Sequence, residues 1–266
     1  MPLTDSFTKL LIRGRLAGLI AGILAGGVAF VLGESHIDAA IAIEESHSAA
    51  EPEGHSHDAA TQADEPAGHS HDEEDALVSR DGQRFGLFLA TSLAGLALGA
   101  IFAVVLHYAR RLTTLSGPVF GMSLAALGWL AIEAVPFFKY PANPPAVGDP
   151  DTINQRTWLW LAAVALGLLA VVASVFAAKA VAAQEFLSVR IAAPVVAFLV
   201  VATIGYLVLP TINEVGDDFP AVLLWQFRLS SLATQATLWL VLGLVFAFLT
   251  ERATRATAPA SANASA

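Results

Sequence analysis

Residues 16–33 read LAGLIAGILAGGVAFVLG, 18 residues without one charged or polar side chain. A bilayer's hydrocarbon core is about 30 Å thick and takes about 20 apolar residues of helix to cross. No water in that core can pair with a free N–H or C=O, so such a run must satisfy its own backbone groups as a helix. The run also has a period. Gly14, Gly18, Gly22 and Gly26 recur every fourth residue, with Ala17, Ala21, Ala25 and Ala29 one position back. Spacing of four puts each set on one face, where small side chains let a second helix approach closely. Gly95, Gly99 and Ala103 repeat the pattern later in the chain. Tight helix packing is the simpler use of such a ridge; a moving or ion-lining interface is the other.

Five further apolar stretches follow, at 85–107, 117–138, 157–178, 191–210 and 229–250. The stretch at 191–210 holds Pro194 and ends at Pro210, so merging or dropping it gives five spans instead of six. The whole chain of 266 residues is 56% hydrophobic and 14% charged, against about 25% charged for a soluble domain. The expected fold is therefore an all-α integral membrane protein, a bundle of about six transmembrane helices. The apolar run at the start is not expected to be a cleaved signal peptide, because it is long for one and no clear A-x-A cleavage site follows.

Lys and Arg set the orientation. Lys9, Arg13, Arg15, Arg110, Arg111, Lys179, Arg190, Arg252 and Arg255 fall on one side; Arg80, Arg84, Lys139, Arg156 and Arg228 fall on the other. This predicts both termini in the cytoplasm of a bacterial inner-membrane protein. The segments are then a cytoplasmic start and first span (1–33), an extracytoplasmic acidic, His-rich loop (34–84), five more spans (85–250) and a disordered cytoplasmic tail (251–266). The loop at 34–84 carries 14 of the 23 acids against two arginines, so the rest of the chain is mildly basic. No basic stripe exists to neutralise phosphates, which argues against nucleic acid.

Absences narrow the chemistry. Without cysteine, and with two methionines of which one is Met1, the chain lacks the soft ligands that Cu(I) transport uses. Lys9, Lys139 and Lys179 are its only lysines, and none precedes Ser or Thr, so no phosphate loop is present. An ATP-driven step needs another subunit. Nor is there a G-x-S-x-G or H-E-x-x-H motif, and no enzymatic activity is expected.

The loop holds a duplicated octet, EPEGHSHD at 51–58 and EPAGHSHD at 65–72. Proline and glycine in each disfavour helix, and in an extended chain residues i and i+2 share a face. His55 with His57, and His69 with His71, can each chelate a divalent ion, with Asp58 or Asp72 adjacent. Imidazole and carboxylate donors suit Co, Ni and Zn. The bland alternative is a solvated acidic spacer, yet five of the seven histidines lie between 47 and 71.

Other candidates lie nearer the membrane. Glu34, His36 and Asp38 sit where the first span ends. If the helix continues, the two carboxylates share a face and His36 lies on another. Glu133, in AALGWLAIEAVPFF, is flanked by apolar residues, and a carboxylate there usually faces the bundle interior. Two loops dense in Pro and polar residues follow, PFFKYPANPPAVGDPDTINQR at 136–156 and LPTINEVGDDFPAVLLWQFR at 209–228. Asn143, Asn213 and Glu214 offer oxygen ligands there, and Arg228 is placed to pair with an acid. An acidic vestibule leading to a buried carboxylate is what cation uptake requires electrostatically.

RGRLAGLIAG near the start, GESHIDAAIAIEE at 33–45, PFFKYPANPPAVG and the pattern NEV-x-x-DFPA together resemble the family of probable cobalt transporter subunits, CbtA. The resemblance runs from about residue 8 to 252. It implies import of cobalt for cobalamin synthesis beside a small single-span, His-bearing (CbtB-like) subunit, and a drawing with five spans. The choice of Co over Ni or Zn rests on it alone. A membrane-anchored accessory protein that delivers cations to a separate permease is the alternative function. The bilayer, the small subunit and a second copy of the chain are the expected partners.

Overall fold

The computed structural model describes residues 3, 5–50 and 79–257. Six helices in it are long and apolar enough to cross a membrane, and the described residues contain no strand. Helix α1 spans Phe7–Ala50, α2 Arg80–Ala109, α3 Gly117–Trp129, α4 Val135–Lys139, α5 Ile153–Ala180, α6 Leu187–Val208 and α7 Ala221–Thr257. A π-turn at Leu130–Ala134 fuses α3 and α4 into the third span. The fifth apolar stretch stands as a span of its own, α6, with Pro194 inside it. Six spans, not five, is the result.

The helices overrun the apolar runs. With 44 residues, α1 is roughly 66 Å long at 1.5 Å per residue, about twice a bilayer core. Nothing stops it at Gly33, since the sequence from 34 to 51 holds neither glycine nor proline. Likewise α2 begins at Arg80, where Ser79 caps it by accepting from the Gly82 N–H at 3.2 Å, and α7 reaches Thr257. The octets, with His55, His57, Asp58, His69, His71 and Asp72, lie outside the described residues.

Packing runs in the order α2, α1, α7, third span, α5, α6. Helices α1 and α2 touch backbone to backbone. A Cβ at Gly14, Gly18 or Gly22 would overlap the carbonyl oxygen of Gly99, Gly95 or Thr91, and one at Gly95 or Gly99 would overlap that of Gly18 or Gly14. The four-residue ridge is therefore a packing seam. Toward the end that bears both termini, Leu10, Phe102, Leu106, Phe120, Trp239, Leu242 and Phe246 close a dry core, with the Phe102 and Phe246 rings edge to face at 5.4 Å. At the opposite end Ala40, Val147, Phe219 and Leu224 form a smaller core that holds the two polar loops against α1.

The π-turn has a local cause. Pro136 has no N–H, and its ring collides with the preceding turn of a regular helix. Widening that turn relieves the collision, and the Val135 N–H reaches back to the Leu130 carbonyl. Such single-turn bulges are frequent at functional sites. Its surroundings fix it in place: Gly167 of α5 lies on the Ala131 carbonyl, where any Cβ would overlap. The Tyr206 hydroxyl donates to the Val135 carbonyl at 2.6 Å, and Lys139 Nζ donates to the Tyr206 carbonyl at 3.0 Å.

Candidate functional site

The end of the bundle opposite the termini opens into a cavity of about 370 Å³ between the third span, α5, α7 and the two polar loops. Glu133, Asn143, Asn213, Glu214 and Arg228, five of the candidates from sequence, all line it. Tyr140, Arg156, Trp160, Ser231 and Gln235 line it too.

Glu133 projects from the π-turn, partly buried, and accepts a long hydrogen bond from Trp239 Nε1 at 3.4 Å. Among the described residues no Lys, Arg or His nitrogen lies within ion-pair distance of it. Glu214 is different. Its Oε1 accepts from the Thr152 hydroxyl, and its Oε2 accepts from the Asp149 N–H at 3.2 Å and lies 3.3 Å from Arg156 Nη1. Both oxygens thus clasp the 209–220 loop to the 140–152 loop. Arg228 makes a second clasp, with Nε donating to the Ala142 carbonyl at 3.2 Å and Nη2 to Asn143 Oδ1 at 2.9 Å. The Tyr140 hydroxyl donates to the Pro210 carbonyl at 2.7 Å, and burial pushes its pKa above the ordinary tyrosine value.

The loop carrying Asn143 is tightly wound. Ala146 sits at φ 64°, a region that costs a non-glycine residue about 1 kcal/mol or more, between the Pro144–Pro145 pair and the packed Val147. Gly148 follows at φ 127°, and a Cβ there would press on the Arg156 guanidinium. The chain is bent at 146–148 so that Arg156 can lie under the loop and reach Glu214.

Glu34, His36 and Asp38 do not line the cavity. Helix α1 does continue, which puts Glu34 and Asp38 on one face, but that face meets α2. Arg80 Nη2 lies 2.9 Å from Glu34 Oε1 and 2.6 Å from Asp38 Oδ1, and Arg84 Nε lies 2.7 Å from Glu34 Oε1. Two guanidiniums of α2 neutralise these carboxylates, a pairing that no local pattern in the chain marks. His36 shares a helix face with Ala40, which packs on the polar loops, and its buried Nδ1 has no hydrogen-bond partner. Among the described residues no three His, Asp or Glu side chains gather around one point as a metal site.

Sequence reasoning passed over Ser231 and Gln235. A signal was present: Arg228, Ser231 and Gln235 follow the i, i+3, i+7 spacing of one helix face in an otherwise apolar span. Arg156 carried no comparable local mark, because its partner Glu214 is 58 residues away in the chain.

A family model described as a probable cobalt transporter subunit (CbtA) matches residues 7–251. The chain belongs to the CbtA family. The match takes in the first five spans, most of the sixth and every residue that lines the cavity, and a CbtA chain with six such helices is a multi-pass membrane protein. No curated protein and no solved structure matches the chain.

Proposed function

We propose that this CbtA chain is the membrane subunit of a divalent-metal importer of the bacterial inner membrane, with cobalt as cargo and both termini in the cytoplasm. The observation that carries the reading is Glu133. Its place inside a span of membrane-crossing length implies a depth within the bilayer, it lines the cavity, and among the described residues no cation is paired to it. An unpaired charge at that depth is costly and is kept where it serves a passing ion. The path runs from the polar loops past Asn143 and Asn213 to Glu133, with Ser231 and Gln235 on the opposite wall. Glu214 and Arg228 hold the loops that form the mouth, each through its hydrogen bonds across the loops. Glu34, His36 and Asp38 belong to the approach to the membrane, and the octet histidines to capture ahead of it. Nickel and zinc fit the same donor types.

One observation favours the accessory reading instead. Trp239, which hydrogen-bonds Glu133, belongs to a buried apolar core with Leu242, Phe246, Phe102 and Phe120, which offers no ligand to an ion. Proteoliposomes holding this chain alone decide between the two. Cobalt flux into the vesicles supports a permease. Binding without flux, with flux restored only by the partner subunit, assigns the chain the accessory role. Capture by the octets makes a separate prediction. Removing residues 47–75 is expected to lower cellular cobalt uptake when the metal is scarce and to leave it unchanged when metal is plentiful, because a tethered histidine-bearing segment raises local concentration without lying on the path. Loss of uptake at both metal levels places the histidines on the path itself.

A further inference from the structure

We propose that the cavity takes its cation with the water shell intact, as an octahedral aqua complex held through the shell's hydrogens, and not by direct metal–ligand bonds. The inference rests on the importer reading above and names the form of its cargo.

A first-row dication stripped of water needs about four to six strong ligands in their place. The cavity wall supplies one carboxylate that no cation claims, Glu133. Glu214 cannot join it without giving up Thr152, the Asp149 N–H and Arg156 together. Asp149 lends its Oδ1 to the Asp151 N–H. Among the described residues no histidine lines the cavity.

What the wall does supply is acceptors suited to O–H donors. Glu133, Asn143, Asn213, Gln235 and Ser231 line the same space; Asn143 Oδ1 and Asn213 Oδ1 each accept one hydrogen bond already, from Arg228 Nη2 and from the Val215 N–H, and a carbonyl oxygen has a second lone pair to offer. Neutral amides are poor replacements for a whole hydration shell but good partners for water already polarised by a metal. An aqua complex offers donors in every direction and asks for no acceptor capacity to be spent on the metal.

Electrostatics points the same way. Arg156 and Arg228 both stand in the wall. A bare dication in direct contact with that wall would sit close to two guanidiniums, only one of them, Arg156, offset by a carboxylate, in a medium of reduced dielectric, where Coulomb repulsion is several-fold stronger than in water. A layer of water keeps the metal away from them and screens it. Size permits this: a hexaaqua ion fills on the order of 200 Å³ at ~30 Å³ per water, and the cavity offers about 370 Å³.

Hexaamminecobalt(III) tests the idea, because it matches an aqua complex in shape and donor pattern but does not exchange its ligands. The measurement is initial cobalt(II) uptake by cells expressing the full chain with its partner, with and without the hexaammine ion. The expected result is competitive inhibition: most of the initial rate is lost, excess cobalt(II) restores it, and the maximal rate is unchanged. The same inhibition is expected in a variant lacking residues 47–75, which excludes the loop as its site. Gln235→Leu, which removes an acceptor from the wall, is expected to weaken inhibition and cobalt uptake together. If chain-dependent uptake persists undiminished under a large excess of the hexaammine ion, the ion is stripped on binding; the inference falls and the importer reading stands. If no uptake depends on the chain, the importer reading falls and takes the inference with it.

Discussion

Glu133→Gln is expected to reduce chain-dependent cobalt uptake to background while the protein still inserts and folds. Glutamine is nearly isosteric, and its carbonyl oxygen can keep the hydrogen bond from Trp239 Nε1, so the π-turn loses no packing. What disappears is the negative charge, the only one in the cavity not already balanced by an arginine. A hydrogen bond to a charged acceptor is worth about 1.5–3 kcal/mol, which is about a tenfold to hundredfold change in occupancy before the direct attraction for a dication is added. Glu133→Ala is expected to remove uptake as well, with a small further cost from the space left beside Trp239. Metal accumulation by elemental analysis, alongside membrane abundance and gel-filtration profile, reads both effects. Normal cobalt accumulation in a well-folded Glu133→Gln protein removes this residue from the path and returns the cavity to a purely structural role.

Gly18→Leu is expected to have the largest effect on the fold. At this position α1 and α2 are separated by nothing but backbone: a Cβ would overlap the Gly95 carbonyl oxygen, and it would lie 2.9 Å from Gly99 Cα. Overpacking a core usually costs about 1–3 kcal/mol, because neighbouring side chains shift to make room. Here the obstacle is main chain on a second helix with reciprocal contacts at Gly14, Gly22, Gly95 and Gly99, so the relief available is to separate the two helices. That would break the seam and the Glu34–Arg84 and Asp38–Arg80 pairs above it. Even Gly18→Ala is expected to lower thermal stability in detergent measurably. Gly27→Ala is the control, since nothing lies within 4 Å of a Cβ there. Equal melting temperatures for Gly18→Leu and Gly27→Ala would show that the two helices do not meet as described.

The two predictions separate two kinds of residue that look alike in the sequence, those unusual for an apolar span. Glycine at every fourth position is explained by the packing of α1 on α2. The carboxylate at 133 is not explained by packing: it lies on a widened turn, faces a cavity and has a tryptophan N–H as its partner.

Much of the molecule was legible in one dimension because the bilayer imposes rules with a short range along the chain. Apolar length gave six spans, four-residue spacing gave the seam, and an isolated glutamate in a greasy stretch marked itself as a candidate. Those properties depend on residues within a few turns of one another. Family membership was legible for the same reason, since PFFKYPANPPAVG and NEVGDDFPA are contiguous strings.

What the sequence alone could not decide is which polar groups answer one another. Glu34 and Glu214 are both acids at the edge of a span, yet each is taken by arginines far away in the chain, Arg80 and Arg84 for one and Arg156 for the other. Glu133 has no such partner. Pairing energies act over a few ångströms of space, and only the packing of α1 on α2, and of the 209–220 loop on the 140–152 loop and the start of α5, brings those charges within range. Among the described candidates, the tertiary structure thus made struts of Glu34, Asp38 and Glu214 and left Glu133 without an ion-pair partner.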